Sequence, residues 1–440
     1  MLTGKKRARG SRPGKRNGHA VSRVAIVGSG VAGLVAAREL HTTHDITLFE
    51  QHDYLGGHAH TVVVRDGDRD LALDTGFIVF NTQTYPLFSR LLQELGVASQ
   101  PSEMSFGVGC RACGIEYSSR GLQGLCARPT QALRPRFLRM AVDIVRFNRW
   151  ARAQTDCPRL ETRTLGDLRR DRVYGPDLFS HYLTPMAGAI WSSTGVDVDA
   201  IPLDFLLRFY RNHGLLQARN HPQWRTVTGG SRRYVEALSQ PFLDRVRLRT
   251  PVLAVRRLVD HVEVRTADGW EQFDRVVLAS HSDQALRVLE DPTSAEGDAL
   301  SAIPYRRNEA VLHTDDHVLS TASAARASWN CHLDDCAQNS APLRMTYYLN
   351  RLQRLRTTTA YCVTLNDDGR IAPDRVLARM VYAHPLYTVD GLEARRRLQA
   401  LSGQQRTVFC GAYLGNGFHE DGVRSGMEAA QVVAARQEAA

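Results

Sequence analysis

Lysine is almost absent from this chain of 440 residues, in which Lys5, Lys6 and Lys15 are the only three lysines. No lysine of the remaining chain can therefore form a Schiff base with a substrate. No apolar run approaches the 18 or more residues of a membrane-spanning helix, and no apolar segment follows the basic N-terminus as in a signal peptide. We therefore expect a cytoplasmic protein.

Acidic residues are missing from residues 1–20, which carry seven lysine and arginine residues. This tail accounts for most of the net charge of +10, so the rest of the chain is nearly balanced and predicts no nucleic-acid partner. The tail is rich in glycine and arginine and lacks aromatic residues, which predicts disorder. A solvated extension and a polybasic contact with anionic lipid both remain open.

The eight cysteines are scattered, and a cytoplasmic location argues against structural disulfides. Cys110 and Cys113 form one C-x-x-C pair, and Cys331 and Cys336 form a looser pair. Two such pairs could bind zinc, but four-ligand sites are usually more compact in sequence, so we predict no metal.

The stretch from residue 24 to residue 40 has the pattern of a nucleotide-binding turn. An apolar run over 24–27 predicts a buried strand that stops at Gly28, and Gly28, Gly30 and Gly33 follow at G-x-G-x-x-G spacing. The next helix, predicted over 31–40, offers unpaired N–H groups to a diphosphate. A second apolar strand over 46–49 ends in Glu50, whose carboxylate can accept hydrogen bonds from ribose hydroxyls.

Gly56 and Gly57 follow Glu50 after five residues. The pattern E-x5-GG resembles the FAD-binding signature of the superfamily that includes amine oxidases, phytoene desaturases and protoporphyrinogen oxidases. The resemblance implies FAD rather than NAD. It also implies that the first part of the cofactor site contains Gly28, Ser29, Gly30, Ala32, Gly33, Glu50, Gly56, Gly57, His58 and Thr61.

Three later segments extend the resemblance. In the segment from Arg245, Val252 matches the strand residue whose backbone receives the adenine. The segment from Arg406 resembles the C-terminal flavin motif and implies contacts from Gly411, Asp421, Gly422 and Val423, with a helix beginning near Gly422. Ala412 stands where relatives place an acid for the ribityl hydroxyls, so Glu420 and Asp421 are the candidate substitutes.

These segments predict an α/β protein in which a Rossmann-like FAD/NAD(P)-binding domain is interrupted by a substrate domain with a mixed sheet and helices, as in amine oxidases. The expected order is a basic tail over 1–20, FAD-binding parts over 21–95, 225–300 and 400–440, a helical substrate part over 96–224, and a substrate-domain sheet over 301–399.

Candidate catalytic residues are few, because a flavin performs hydride transfer itself. His419 is the candidate for proton handling, since an unperturbed histidine has a pKa near 6.5. Trp191 and Tyr413 are candidate pocket aromatics. Cys410 lies in a predicted buried strand and is interpreted as core packing, so we expect non-covalent FAD. Apolar residues of the segments 183–195 and 204–216 are expected to pack in the core or to line the substrate pocket: Met186, Ile190, Trp191, Phe205, Leu206, Phe209 and Tyr210.

The whole chain after residue 20 most resembles a bacterial group described only as NAD/FAD-binding proteins, on motifs that include DTGFIVFN, QWRTVTGGS and GFHEDGVRSG. Such proteins often accompany cyclopropane fatty acid synthase-like methyltransferases, which implies a lipid acyl substrate and a lipid methyltransferase partner. Amine oxidases commonly hold a lysine near the flavin, and its absence here argues against amine oxidation. Three functions stay open: an oxidase or desaturase of an apolar substrate, a double-bond isomerase, and a non-catalytic FAD-bound partner of the methyltransferase.

Residues 134–152 predict a helix with Arg139, Arg146 and Arg149 near one side. The apolar residues are expected largely on the other side: Phe137, Leu138, Ala141, Ile144, Val145 and Trp150. Such a helix either packs on the substrate domain with a solvated arginine face or lies peripherally on an anionic membrane.

Overall fold

The computed structural model describes residues 21–154, 157–217, 221–336 and 343–435. The basic tail over 1–20, with its predicted disorder, lies outside the described residues.

Strands and helices alternate along the described chain. The strands are β1 Arg23–Val27, β2 Asp45–Phe49, β3 Thr61–Asp66, β4 Arg69–Asp74, β5 Phe80–Asn81, β6 Ser99–Pro101, β7 Phe106–Cys110, β8 Glu116–Ser118, β9 Trp224–Val227, β10 Val246–Arg247, β11 Ala254–Arg257, β12 Val262–Thr266, β13 Gly269–Phe273, β14 Arg275–Leu278, β15 Tyr305–His313, β16 Trp329–Leu333, β17 Arg344–Tyr348, β18 Cys362–Leu365, β19 Val376–Pro385 and β20 Thr407–Phe409. The helices are α1 Val31–Leu40, α2 Pro86–Glu94, α3 Gly121–Leu125, α4 Pro135–Ala153, α5 Leu165–Arg170, α6 Pro176–Leu178, α7 Thr184–Trp191, α8 Gly195–Asp199, α9 Leu203–Asn212, α10 Arg232–Ser239, α11 Ser282–Val288, α12 Ser294–Ser301, α13 Leu349–Leu352, α14 Val389–Leu401 and α15 His419–Ala435. A π-helical turn over Phe179–Leu183 joins α6 to α7.

A parallel five-stranded sheet organises the nucleotide-binding part, with the strand order β10-β2-β1-β14-β20. Its central strands are apolar on both faces, as a parallel sheet covered on both sides requires. Helices α1, α10 and α15 cover one face, where Leu34 and Leu238 are fully buried. The antiparallel strands β11, β12 and β13, with α11, α12 and α14, cover the other face.

A seven-stranded mixed sheet, ordered β19-β15-β18-β17-β16-β7-β8, forms the second large layer. Its core includes Val108, Leu312 and Met345, and Phe137 and Met140 of α4 pack on the same cluster. Helices α4 to α9 build a third core around Phe147, Leu206 and Tyr210. The predicted fold class, an interrupted Rossmann-like domain with a substrate domain of mixed sheet and helices, is confirmed.

Helix α4 differs from its predicted orientation. Its buried residues are Phe137, Met140, Asp143, Phe147 and Ala151. Leu138, Ala141 and Val145 lie on the solvent side together with Arg139, Arg146 and Arg149, instead of opposite them. The predicted apolar face is therefore confirmed for Phe137, Ile144 and Trp150, which pack on the cores. It is wrong for Leu138, Ala141 and Val145, because the residues that contact the two neighbouring cores occupy a face of their own.

None of the helices in the described ranges is both long and apolar enough to cross a bilayer.

Candidate active site

The carboxyl ends of the parallel strands bring four chain segments together at one edge of the five-stranded sheet. Strand β1 ends before Gly28, β2 before Glu50, β14 before Ala279 and β20 before Cys410. Parallel neighbours end at the same edge, which is where open α/β sheets bind their ligands. The predicted cofactor residues that follow these strands therefore share one region.

The glycine loop is fixed by close backbone contacts. Gly28 has a φ of +105°, and a Cβ there would lie 2.8 Å from the carbonyl oxygen of Ala279. A Cβ on Gly33 would lie 2.0 Å from the carbonyl oxygen of Gly28, whereas one on Gly30 would meet nothing within 4 Å. No side chain caps α1, which begins after Gly30. The first turn of α1 thus offers bare backbone N–H groups beside an open glycine, as a diphosphate requires.

Glu50 connects the second strand to the glycine loop. Its side chain is buried, and its Oε2 accepts hydrogen bonds from the backbone N–H of Ser29 at 3.0 Å and from Ser29 Oγ at 2.5 Å. Its Oε1 accepts from the backbone N–H of His52 at 2.9 Å. Because a carboxylate offers about four lone-pair positions, these bonds leave capacity for ribose hydroxyls.

The glycine pair holds the next loop against the first. The N–H of Gly56 donates to the carbonyl oxygen of Ser29 at 3.0 Å, and a Cβ on Gly57 would lie 3.2 Å from Gly30 Cα. Thr61 lies on β3, where its hydroxyl donates to Asp74 at 2.6 Å and accepts from the N–H of Arg232 at 3.0 Å. This glycine cradle, with the free N–H groups of α1 and the Glu50 carboxylate, fits FAD.

The C-terminal motif packs directly on the glycine loop. Helix α15 begins at His419, three residues before the predicted start at Gly422. A Cβ on Gly422 would lie 2.5 Å from Val31 Cγ1, and one on Gly426 would lie 2.5 Å from the carbonyl oxygen of Ala32. Gly411 lies after β20, and its N–H donates to Ser425 Oγ at 2.9 Å. The N-termini of α1 and α15 therefore adjoin, and Val423 is buried in the core beside them.

The two acids proposed to replace Ala412 have other hydrogen-bond partners. Glu420 accepts from the backbone N–H groups of Leu87 and Phe88 at 3.1 and 3.0 Å, so it caps α2. Asp421 accepts from the N–H of Phe418 at 3.1 Å and closes the loop that precedes α15. Both carboxylates thus already accept hydrogen bonds from the protein, and a contact of either Glu420 or Asp421 with FAD stays a prediction.

His419 is buried between aromatic side chains. Its Nε2 lies 2.9 Å from the Tyr234 hydroxyl, and its ring stacks on Phe77 with centroids 3.5 Å apart. Burial, and to a smaller extent the nearby His58, lowers the pKa of His419 to about 3. The pKa near 6.5 expected for His419 is therefore wrong, because burial keeps the imidazole neutral, while its role in proton handling stays a prediction.

Further imidazoles gather around His58. Its ring centroid lies 5.0 Å from Tyr382, 5.3 Å from His384 and 5.9 Å from His281. Burial lowers the pKa of His58 and His384 to about 3 and that of His281 to about 4, with smaller contributions from neighbouring imidazoles. The group is therefore polar but uncharged at neutral pH.

The two predicted pocket aromatics lie in different places. Trp191 ends α7 and donates from its indole N–H to the carbonyl oxygen of Asn416 at 3.3 Å, so it contacts the loop before α15. Tyr413 instead packs in the core on the opposite face of the five-stranded sheet, 3% exposed. Its prediction as a pocket aromatic is wrong, since its position in a short helical turn after Gly411 directs the ring into that core.

Other residues at this edge were not identified from the sequence. Phe77 follows β4 and Phe418 precedes α15; Phe418 packs against cores of both the nucleotide-binding and the helical part. Tyr234 on α10 lies three residues after the motif QWRTVTGGS, whereas His384 on β19 is distant in sequence from the motifs. Phe77 and Phe418 lie inside motifs of the resemblance, DTGFIVFN and GFHEDGVRSG, which was the available signal.

Val252 and Cys410 lie in the cores on the two faces of the five-stranded sheet. Val252 lies between β10 and β11, partly buried against the core on the second face of the sheet. Cys410 is fully buried with its pKa raised to about 12 by burial, as core packing requires.

Residues 31–326 match the family of flavin-containing amine oxidoreductases. The protein AofH of Mycobacterium tuberculosis, named as a flavin-containing monoamine oxidase, is 27% identical over 340 residues, covering 74% of this chain and 70% of AofH. The structure of cyclohexylamine oxidase from Brevibacterium oxydans superposes with a TM-score of 0.67 at 15% identity, covering 95% of this chain and 100% of that one. A fatty acid isomerase from P. acnes that produces CLA superposes with a TM-score of 0.62 at 13% identity, covering 94% of this chain and 98% of that one.

The two superpositions, at 13% and 15% identity, are evidence of a shared fold. The family match covers well over half of the chain and includes the first helix of the glycine loop. This match, together with a sheet edge that fits FAD, favours FAD over NAD, between which the glycine motif alone does not distinguish. The chain belongs to the family of flavin-containing amine oxidoreductases and is an FAD-dependent oxidoreductase.

Proposed function

We propose that this enzyme takes a hydride from a carbon atom of an apolar substrate, such as a lipid acyl chain. The observation that carries the proposal is the neutrality of the buried histidines near the stacked pair of Phe77 and His419. FAD, when bound, supplies the hydride acceptor. The residues of the chain then need to bind the substrate, orient it and exclude water.

Neutral histidines are the first support. His58, His384 and His419 have pKa values lowered to about 3 by burial, so they carry no charge at neutral pH. A group with such a pKa is a weak base and does not take a proton from an alkylammonium ion. The chemistry that suits this environment begins with hydride loss from carbon and needs no prior deprotonation of the substrate. The neighbouring carbon then loses a proton, which a neutral imidazole can accept, and a carbon–carbon double bond remains.

The buried acids give the second support, because their oxygens already accept hydrogen bonds from the protein. Asp74 accepts from Thr61, from both the N–H and the hydroxyl of Ser231, and from Gln353. Glu420 caps α2, and Asp421 closes the loop before α15. An amine substrate brings a positive charge, which is costly to bury without a carboxylate partner. An amine would have to share these three carboxylates with the protein groups that already donate to them.

Aromatic packing beside the same loop gives the third support. The rings of Trp191 and Phe209 lie 4.9 Å apart, and those of Phe209 and Phe418 lie 5.1 Å apart and nearly parallel. Met186, Ile190 and Phe418 pack against this cluster and are only partly buried. Ligand sites lined by apolar and aromatic groups of this kind bind apolar molecules.

Anaerobic mixing of the FAD-loaded protein with an acyl lipid tests the proposal. We expect lasting loss of the visible absorbance of oxidised flavin and an oxidised lipid in equal amount. Conversion of the lipid without lasting bleaching would overturn the net oxidation and favour a double-bond isomerase. No spectral change and no product with any acyl lipid would overturn the enzymatic proposal and favour a non-catalytic partner of a lipid methyltransferase.

A matched pair of variants locates the substrate. Ile190→Glu should abolish the reaction with the lipid while FAD remains bound, because a carboxylate in an apolar contact surface must be desolvated. Val259→Glu, at a position 98% exposed, is the control and should react like the original chain. Equal activity of Ile190→Glu would remove the aromatic cluster from the substrate path.

A further inference from the structure

Three cysteines and one histidine from three separate parts of the chain meet beside the seven-stranded sheet. Cys110 ends β7, Cys113 lies in the turn that follows, Cys336 lies three residues after β16, and His181 lies in the π-helical turn before α7. Their sulfur and nitrogen atoms all lie within 4.8 Å of one another. Cys110 and His181 are buried, and Cys113 and Cys336 are partly buried.

The distances in this cluster are those of a tetrahedral site. The sulfur atoms of Cys110 and Cys336 are 3.7 Å apart, and Cys113 Sγ lies 3.4 Å from His181 Nε2. Four ligands at about 2.3 Å for sulfur and about 2.0 Å for nitrogen around zinc are separated by about 3.8 Å between sulfurs and about 3.5 Å between sulfur and nitrogen. The cluster therefore has room for one zinc ion at its centre.

The turn that carries the first two cysteines presents N–H groups to their sulfur atoms. The backbone N–H of Cys113 donates to Cys110 Sγ, and that of Ile115 donates to Cys113 Sγ. Gly114 has a φ of +70°, which lets the chain reverse directly after Cys113. Hydrogen bonds to sulfur stabilise the thiolate, which is the form that binds a metal.

A carboxylate lies beside the second nitrogen of the imidazole. His181 Nδ1 lies 3.2 Å from Asp177 Oδ1, while Nε2 faces the thiols. Metal-bound histidines usually have such a carboxylate at the second nitrogen. Arg136 binds Asp177 through two nitrogens, at 2.8 Å from Nε and 2.5 Å from the terminal nitrogen, and its side chain also contacts Cys336. Three thiolates with one divalent ion leave a charge of −1, which the guanidinium opposes.

We infer that Cys110, Cys113, His181 and Cys336 bind one zinc ion that fastens the helical part to the seven-stranded sheet. Zinc gains four bonds without a change of oxidation state, and three thiol protons pass to solvent. Four protein ligands leave no open position, which is typical of a structural site. The sequence alone did not reveal this site, because the expected set of four cysteines is not the one that meets. Cys331 lies outside the cluster, and the fourth ligand is His181, 150 residues earlier in the chain.

Metal analysis of the full-length, FAD-loaded protein tests the inference. We expect one zinc per chain. Chelation of the metal without a reductant should release three thiols that do not react in the zinc-bound protein, and it should lower the unfolding temperature. The measured zinc content decides the outcome. A content near one zinc per chain supports the site, and a content below about a tenth per chain overturns it.

Variants distinguish the zinc ligands from the other cysteines of the chain. Cys113→Ser and His181→Ala should lose zinc, whereas Cys331→Ser and the exposed Cys126→Ser should keep it, since neither residue belongs to the cluster. If Cys113→Ser fails to fold, cobalt substitution of the original protein serves instead. Tetrahedral thiolate coordination then gives intense visible and near-ultraviolet bands, and their absence would overturn the inference. Iron in place of zinc, or a Cys110–Cys336 disulfide in the isolated protein, would also overturn it.

Discussion

The side chains of His419 and Phe77 stack face to face, with ring centroids 3.5 Å apart and planes 12° from parallel. The Tyr234 hydroxyl lies 2.9 Å from His419 Nε2 and fixes the rotation of the imidazole. This arrangement holds a neutral histidine at the start of α15, at the sheet edge that fits FAD. It has consequences for the stability of the protein as a function of pH.

Acidification should destabilise the protein through His419. Its pKa is lowered to about 3 in the folded state, below the usual value near 6.5 in the unfolded chain. Between these values the unfolded chain binds more protons, so the stabilisation is complete above pH 6.5 and is lost as the pH falls toward 3. From pH 7 to pH 5 this amounts to about 2 kcal/mol.

Denaturant unfolding at the two pH values measures this effect. His419→Gln should lose about 2 kcal/mol less than the original chain on acidification from pH 7 to pH 5. His317→Gln is the matched control, because that side chain is 95% exposed, and it should follow the original chain. An unchanged acid sensitivity in His419→Gln would contradict the lowered pKa.

Two glycines of the nucleotide loop should respond differently to alanine. A Cβ on Gly33 would lie 2.0 Å from the Gly28 carbonyl oxygen, so Gly33→Ala should lower the unfolding temperature and FAD binding together. A Cβ on Gly30 meets nothing within 4 Å, so Gly30→Ala should weaken FAD binding while the apoprotein stays as stable as the original. Thermal unfolding of the apoproteins and FAD titration separate the two effects. Full FAD affinity in Gly30→Ala would move the diphosphate away from this loop.

Glu50 should contribute to FAD affinity as a charged acceptor. Replacing it with alanine should weaken FAD binding by about 10- to 150-fold, since a hydrogen bond to a charged group contributes roughly 1.5 to 3 kcal/mol. Glu39→Ala, at an exposed position on α1, is the control and should bind FAD like the original chain. Calorimetric titration of the apoprotein with FAD gives both affinities, and equal values would exclude Glu50 from the site.

The solvent side of α4 should bind anionic membranes. Leu138, Val142 and Val145 are 51%, 58% and 61% exposed and lie beside exposed Arg146 and Arg149. Apolar residues flanked by arginines suit a lipid interface, where each basic residue contributes about 1 kcal/mol. A chain lacking residues 1–20 should therefore sediment with anionic vesicles at low salt and be released at high salt.

Charge reversal on α4 provides the comparison. Arg139, Arg146 and Arg149 changed to Glu should abolish sedimentation, whereas the same change at Arg65, Arg249 and Arg287, which are exposed elsewhere, should weaken it only modestly. Equal loss in both triple variants would indicate a general charge effect. A tail-deleted chain that stays in the supernatant at low salt would contradict membrane binding by α4.

Local patterns in the sequence predicted the nucleotide-binding elements closely. Helix α1 was expected over 31–40 and occupies Val31–Leu40, because its start is set by adjacent glycines and its end by neighbouring polar residues. Strand β2, which ends before Glu50, was likewise recognisable, since its buried residues Ile46, Leu48 and Phe49 are apolar, as in a parallel strand covered on both faces. These features depend on residues within a few positions of one another.

Contacts between distant segments were beyond the reach of the sequence. Glu420 caps a helix that begins more than 330 residues earlier in the chain, which no local pattern reveals. The lowered pKa of His419 depends on burial by Phe77 and Tyr234, and the ligand role of His181 depends on a turn that brings it to Cys113. The buried face of α4 likewise follows from the packing of two separate cores along it.

We propose that a site with neutral histidines oxidises carbon in an apolar substrate and excludes amines. The most direct measurement compares the rates of anaerobic flavin reduction by a long-chain acyl lipid and by a primary amine with the same carbon chain. The account predicts that the lipid bleaches the flavin and that the amine does not at equal concentration and neutral pH. Faster reduction by the amine would contradict it.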